Sequence, residues 1–185
     1  MGRLRGLLGG NRIAFVLERD FDGANYTELR GCLGGAGANV MVVSSDSWSE
    51  ITDRDRSLSI KPDLSFMEAE VGVFDVLVIG DDSTARQDKS RPDACRLVSE
   101  TMRFNKPLVA VGLGPELLIC ANALKGRKVT GLPSIADAIR LAGGMFKKRS
   151  VVIDGNLITA RSSGSVGKIC DLLAPLLRGR SAEAA

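Results

Sequence analysis

Short, mostly apolar runs recur along this chain, and amphipathic stretches separate them. The runs are Arg12–Leu17 (RIAFVL), Asn39–Val43 (NVMVV), Asp75–Ile79 (DVLVI) and Leu108–Val111 (LVAV). A strand covered on both faces reads this way, because neither of its alternating sets of side chains meets water. Between the first two runs, Tyr26, Leu29, Leu33 and Ala36 fall at helical spacing, which gives a helix one apolar face. Gly34, Gly35 and Gly37 end that helix. A strand–helix–strand succession calls for parallel pairing and a right-handed crossover. The spacing therefore predicts an α/β fold with a mostly parallel sheet covered by helices.

The rest of the chain fills in around these strands. Residues 44–70 are polar and turn-rich, with Pro62, and read as a small hairpin or an irregular excursion. Pro92 suits the first turn of a helix with Leu97, Val98 and Met102 inward. A helix is expected over Glu116–Leu124, and another carries Ile135, Ile139 and Leu141. Val151–Ile153 and Leu157–Ala160 flank Asp154-Gly155-Asn156, a strong signal for a late β-hairpin. A last helix spans about Val166 to Leu177. The expected organisation is a flexible N-terminus over 1–11, one domain over 12–177 and a frayed tail over 178–185.

Composition narrows the function classes. Aromatic residues are only 4% of the 185 residues, so the core must rest on aliphatic side chains. The net charge is +3, and the clusters Lys125-Gly126-Arg127-Lys128 and Lys147-Lys148-Arg149 read as solvated loop charge. No nucleic-acid partner is expected. No apolar run approaches the length of a membrane span, and the N-terminal stretch lacks a signal-peptide core, so no membrane partner is expected either. Cys32, Cys95, Cys120 and Cys170 lie far apart with no CxxC. Each is expected to be a small packed residue rather than a bridge or metal ligand, which points to a reducing cytoplasm. No metal and no cofactor are expected.

The segment Leu108-Val-Ala-Val-Gly-Leu-Gly-Pro-Glu-Leu-Leu118 reads as a buried strand, a sharp turn and a helix start. Such a bend presents a nucleophile at the mouth of an α/β sheet. Here the tip is Gly112 followed by Leu113, and the chain contains no histidine. Neither residue attacks a carbonyl or moves a proton, and Ser-His or Cys-His arrangements are excluded throughout.

Several segments together resemble the DJ-1/PfpI family of the class I glutamine amidotransferase-like superfamily, from about Arg12 to Leu177. They are Arg12–Leu17 with Phe21-Asp22, Gly35–Val43, Phe74–Ile79, Lys106–Val111 with Gly114-Pro115, Ala123–Thr130 and Val151–Thr159. The resemblance implies a flavodoxin-like three-layer α/β sandwich, usually a homodimer. It also implies an elbow Cys often followed by His, a carboxylate from the loop after the first strand, and oxyanion-binding amides near a Gly-Gly pair. Those positions fall on Gly112, Leu113, Asn25 and Asp81-Asp82. Each departs from the family's pattern.

What remains is a rim of polar candidates. Residues just past the carboxyl ends of parallel strands line the ligand crevice of such folds. Glu18, Asp81 and Asp82 stand there and could act as acid–base groups or meet a cationic ligand. The Gly112-Leu113-Gly114 turn could bind an anion through backbone amides, and Arg161 after the hairpin could approach the same rim. Tyr26 and Trp48 are expected to pack in the core or an interface. The reading that follows is a non-catalytic binding protein for a small ligand or protein partner, acting as a homodimer. The alternatives are a hydrolase or lyase that uses Glu18, Asp81 or Asp82, and a chaperone-like regulatory dimer.

Overall fold

The computed structural model describes residues 6–80 and 91–183. In chain order the elements are β1 (Arg12–Val16), α1 (Gly23–Gly35), β2 (Asn39–Ser44), β3 (Ile51–Thr52), β4 (Ser59–Ile60), β5 (Leu64–Ser65), β6 (Val76–Ile79), α2 (Arg91–Arg103), β7 (Leu108–Val111), α3 (Pro115–Cys120), β8 (Lys128–Val129), α4 (Ala136–Leu141), β9 (Met145–Phe146), β10 (Val151–Asp154), β11 (Leu157–Ala160) and α5 (Val166–Glu183).

Seven strands form one sheet in the order β10-β11-β7-β6-β1-β2-β5. All neighbours pair in parallel except β10 with β11, the late hairpin. In β1, Phe15 lies opposite Val42 on one side and Val78 on the other. The fold is the expected three-layer α/β sandwich. Side chains alternate across a strand, so β1 feeds two cores. Ile13 and Phe15 pack with Tyr26, Leu29 and Leu33 of α1 and Leu173 of α5. Ala14 and Val16 face the other layer, with Leu97 of α2, Leu118 of α3 and Ile139 of α4. Each such fully buried aliphatic side chain contributes about 1.5–3 kcal/mol. The rings of Phe15 and Phe21 meet Tyr26 edge-on, at 5.2 and 5.7 Å between centroids.

Several expectations need correction. The span 1–11 is not flexible throughout. Leu8 is fully buried in the α1–α5 core, and its amide donates to the Ala36 carbonyl at 2.9 Å. An apolar side chain there closes the open end of the core beside the last turn of α1. The C-terminal helix does not stop at Leu177 but continues to Glu183. The helix after the elbow is shorter than Glu116–Leu124. It ends at Cys120, and Asn122 turns the chain with φ of 52°. Residues 44–70 hold the small hairpin β3–β4, with Ile51 opposite Ile60. They also supply β5, a two-residue parallel edge on β2 that periodicity could not reveal.

The cysteines also differ from expectation. All four are paired: Cys32 with Cys170 across α1 and α5, and Cys95 with Cys120 across α2 and α3. Their Cα atoms are 7.1 and 5.9 Å apart. The pairs span 138 and 25 residues, and only helix packing brings them together. A reducing compartment can no longer be argued from unpaired thiols. No helix among the described residues is long and apolar enough to cross a membrane.

Candidate functional site

The parallel strands all end at one edge of the sheet, and that edge collects the candidate residues. Glu18 follows β1, Gly112 follows β7 and Arg161 follows β11. Asn25 lies in the first turn of α1, which starts from the same edge. Asp81 and Asp82 lie outside the described residues.

The elbow is a tight strand–turn–helix bend. β7 is buried along its whole length. Gly112 then takes φ of 60°, in the left-handed region where a side chain is disfavoured. The chain re-enters helical geometry at Gly114 with φ of −48°, and Pro115 opens α3. Gly114 admits no larger residue easily. A Cβ there would stand 3.0 Å from the Ile79 carbonyl oxygen and from two Val111 backbone atoms. The elbow thus depends on glycine twice, once for φ and once for close backbone approach.

Of the expected anion-binding turn Gly112-Leu113-Gly114, the two glycine amides are engaged within the fold. The Gly112 amide donates to the Ala160 carbonyl at 2.9 Å, and the Gly114 amide donates to the Val111 carbonyl at 2.7 Å. Pro115 has no amide proton to offer. The turn's amides at both glycines hold the fold and are not directed at a ligand. Leu113 is half-buried and packs against the second core.

Glu18 is half-buried, and its Oε2 accepts from the Ser45 hydroxyl at 3.0 Å. That bond ties the end of β1 to the end of β2. Nearby, Asp46 accepts from the amides of Ser49 and Trp48 at 2.8 and 3.0 Å. The Ser49 bond foremost holds its carboxyl below the ordinary range. Asn25 is buried, and its amide donates to Asp22, the N-cap of α1, at 2.9 Å. Its side-chain oxygen has no hydrogen-bond partner among the described residues. Asp53 of the small hairpin pins the neighbouring loop. It accepts from the Leu58 amide and from the Ser57 amide and hydroxyl at 2.8–3.0 Å. The Leu58 bond foremost, with those from Ser57, keeps its carboxyl below the usual carboxylate range. Tyr26 packs in the core, as expected, whereas Trp48 is exposed.

Arg161 lies in the wall of a cavity of about 480 Å³. Thr130, Gly131, Arg140, Lys148 and Arg149 are also in its lining. The cavity lies beside the elbow: Leu132, between the lining residues Gly131 and Pro133, donates its amide to the Gly112 carbonyl at 3.1 Å. Lys148 and Arg149 had read as solvated loop charge. Runs of basic residues were the only available signal, and they do not reveal which element the loop folds against. Among the described residues, no group of three or more acidic or thiol side chains is arranged to hold a metal ion.

The sheet order, the bend at its edge and the late hairpin define a doubly wound α/β protein built around a nucleophile-elbow turn. The DJ-1/PfpI family profile matches residues 11–174, and the chain belongs to that family. It is 33% identical over 155 residues to the deglycase PfpI of Pyrococcus furiosus, covering 84% of this chain and 92% of that one. It is 29% identical over 158 residues to general stress protein 18 of Bacillus subtilis, covering 85% and 92%. Among solved structures it resembles a two-domain protein of Anabaena variabilis with DJ-1/ThiJ/PfpI-like and ferritin-like domains. The TM-score is 0.82 at 28% identity, over 90% of this chain and 48% of the other. This chain thus spans about half the length of that protein.

Proposed function

We propose that this chain is a non-catalytic member of its family that binds a small, partly apolar ligand at the elbow mouth, as a homodimer. One observation carries the reading: the bend keeps its geometry while its tip is Gly112 followed by Leu113. A glycine tip leaves room where a nucleophile's side chain would stand. Leu113 makes the surroundings less polar than an imidazole would. An apolar recess with few polar groups is the usual form of a small-ligand site. The four cysteines are paired away from the turn, so no thiol stands in for the missing one.

The test is turnover by the purified chain on a 2-oxoaldehyde, a glycated amine, an ester and an amide. The expected rates equal those of buffer. Steady turnover of any one of these substrates, whether retained or lost when the cysteines are reduced and alkylated, would overturn the reading. Sedimentation of the full chain is expected to give twice the monomer mass.

The relatives named as deglycases favour a second reading, an enzyme of changed mechanism. Glu18 would serve as its base, oriented by Ser45 at 3.0 Å. Glu18→Gln would then remove any measured turnover while the melting temperature stayed near that of the parent.

A further inference from the structure

We propose that the cavity beside the elbow is a binding site for a small organic phosphate, independent of whether the elbow is catalytic. Three observations carry it. The first is charge. Arg140, Lys148, Arg149 and Arg161 all line the cavity, and Asp137 is the one acidic lining residue among the described residues. Asp137 is already paired with Arg140 at 2.5 Å. The side chains of Lys148, Arg149 and Arg161 have no hydrogen-bond or ion-pair partner among the described residues. Like charges gathered around one space repel, and an anion within it relieves that repulsion.

The second observation is pre-organisation. The Thr130 hydroxyl donates to the Arg149 carbonyl at 2.7 Å, and the Thr130 amide donates to the Thr159 hydroxyl at 2.9 Å. The Arg161 amide donates to the Ser150 carbonyl at 2.9 Å. Both arginines therefore stand on backbone that is tied to the sheet. A guanidinium offers paired donors that match phosphate oxygens. Fixing its backbone lowers the ordering cost of binding.

The third observation is the apolar part of the wall. Phe146 and Pro133 line the same space, and the Arg140 guanidinium lies 5.4 Å from the centre of the Phe146 ring. A bare ion would leave this surface unused, whereas the carbon body of a phosphate monoester would cover it. The volume of about 480 Å³ falls in the range of small-molecule sites.

The experiment is calorimetric titration of the full chain with phenyl phosphate, inorganic phosphate and phenol. Phenyl phosphate is expected to saturate and to bind more tightly than inorganic phosphate, with no binding by phenol. Arg149→Gln and Arg161→Gln are each expected to weaken phenyl phosphate roughly tenfold, the loss of one charge-assisted contact. Both residues are exposed, and unchanged melting temperatures would show that the variants fold. Lys168→Gln, on an exposed position of α5, is expected to change nothing. The proposal is overturned by lack of saturation up to ~10 mM phenyl phosphate, or by undiminished binding in both arginine variants. An equal loss in Lys168→Gln would overturn it too, by showing only diffuse attraction to a basic surface. Equal affinity for inorganic phosphate would overturn its organic part.

Discussion

The elbow and the segment that lines the basic cavity are joined by a backbone hydrogen bond, Leu132 to Gly112 at 3.1 Å, yet the two regions are built in opposite ways. At the elbow the amides of Gly112 and Gly114 both donate inward, and the tip residues Gly112 and Leu113 carry no charge. In the cavity the backbone is equally well tied, but three cationic side chains have no partner among the described residues. The elbow is a tightly bonded bend whose tip residues are Gly112 and Leu113. The cavity wall carries charge that its own fold leaves unneutralised. Satisfied backbone signals stability, whereas gathered and uncompensated charge signals a ligand.

That contrast can be broken at the elbow helix first. Leu118→Ala removes a fully buried side chain of α3 and is expected to cost about 2–5 kcal/mol, read by urea unfolding. Thr159→Val comes next. It strands the buried Thr130 amide that now donates to the Thr159 hydroxyl at 2.9 Å, at about 1–3 kcal/mol. It should also weaken phosphate binding by loosening Arg149, which the same titration would read. If Thr159→Val melted like the parent, the rigid frame behind the cavity would be the wrong idea.

Smaller effects sharpen the comparison. Gly112→Cys places a side chain at φ of 60° and is expected to lose about 1–2 kcal/mol. It should restore no turnover, because Leu113 follows it and the chain has no histidine. Asp53→Asn probes the hairpin beside the rim. The Asp53 carboxyl is held below its ordinary value, so its contribution is present above about pH 4 and fades as pH falls through the lower folded value. Melting temperature measured from about pH 6 down to about pH 2 should therefore fall less steeply in the variant. Arg149→Gln with Arg161→Gln should change stability least, within about 0.5 kcal/mol. Any shift should be upward, as repulsion is relieved. Marked destabilisation in that double variant would show the arginines to be structural.

Local features were legible in order along the chain. The run Leu108–Val111 and the glycines after it announce a strand and a turn, since both depend on adjacent residues. The helix face of Tyr26, Leu29 and Leu33 is legible for the same reason, and all three are buried. The cysteine pairs were not legible, because Cys32 and Cys170 are 138 residues apart. The burial of Leu8 is not legible in the sequence, because a short apolar pair near a terminus looks the same whether or not a core is open beside it. The cavity is not legible either, because Lys148 and Arg149 look like any exposed basic loop until β11 and α4 are folded against them.

By itself the sequence determined the α/β class, the parallel strands, the late hairpin and a bend without thiol or imidazole at its tip. Each is a matter of residue type within a few neighbours, where burial periodicity and backbone freedom act. Tertiary structure alone decided which distant groups share a space: the paired cysteines, the engaged amides of the turn and the four cationic side chains around one cavity. Those depend on contacts between elements far apart in the chain, and no local pattern encodes which faces will meet.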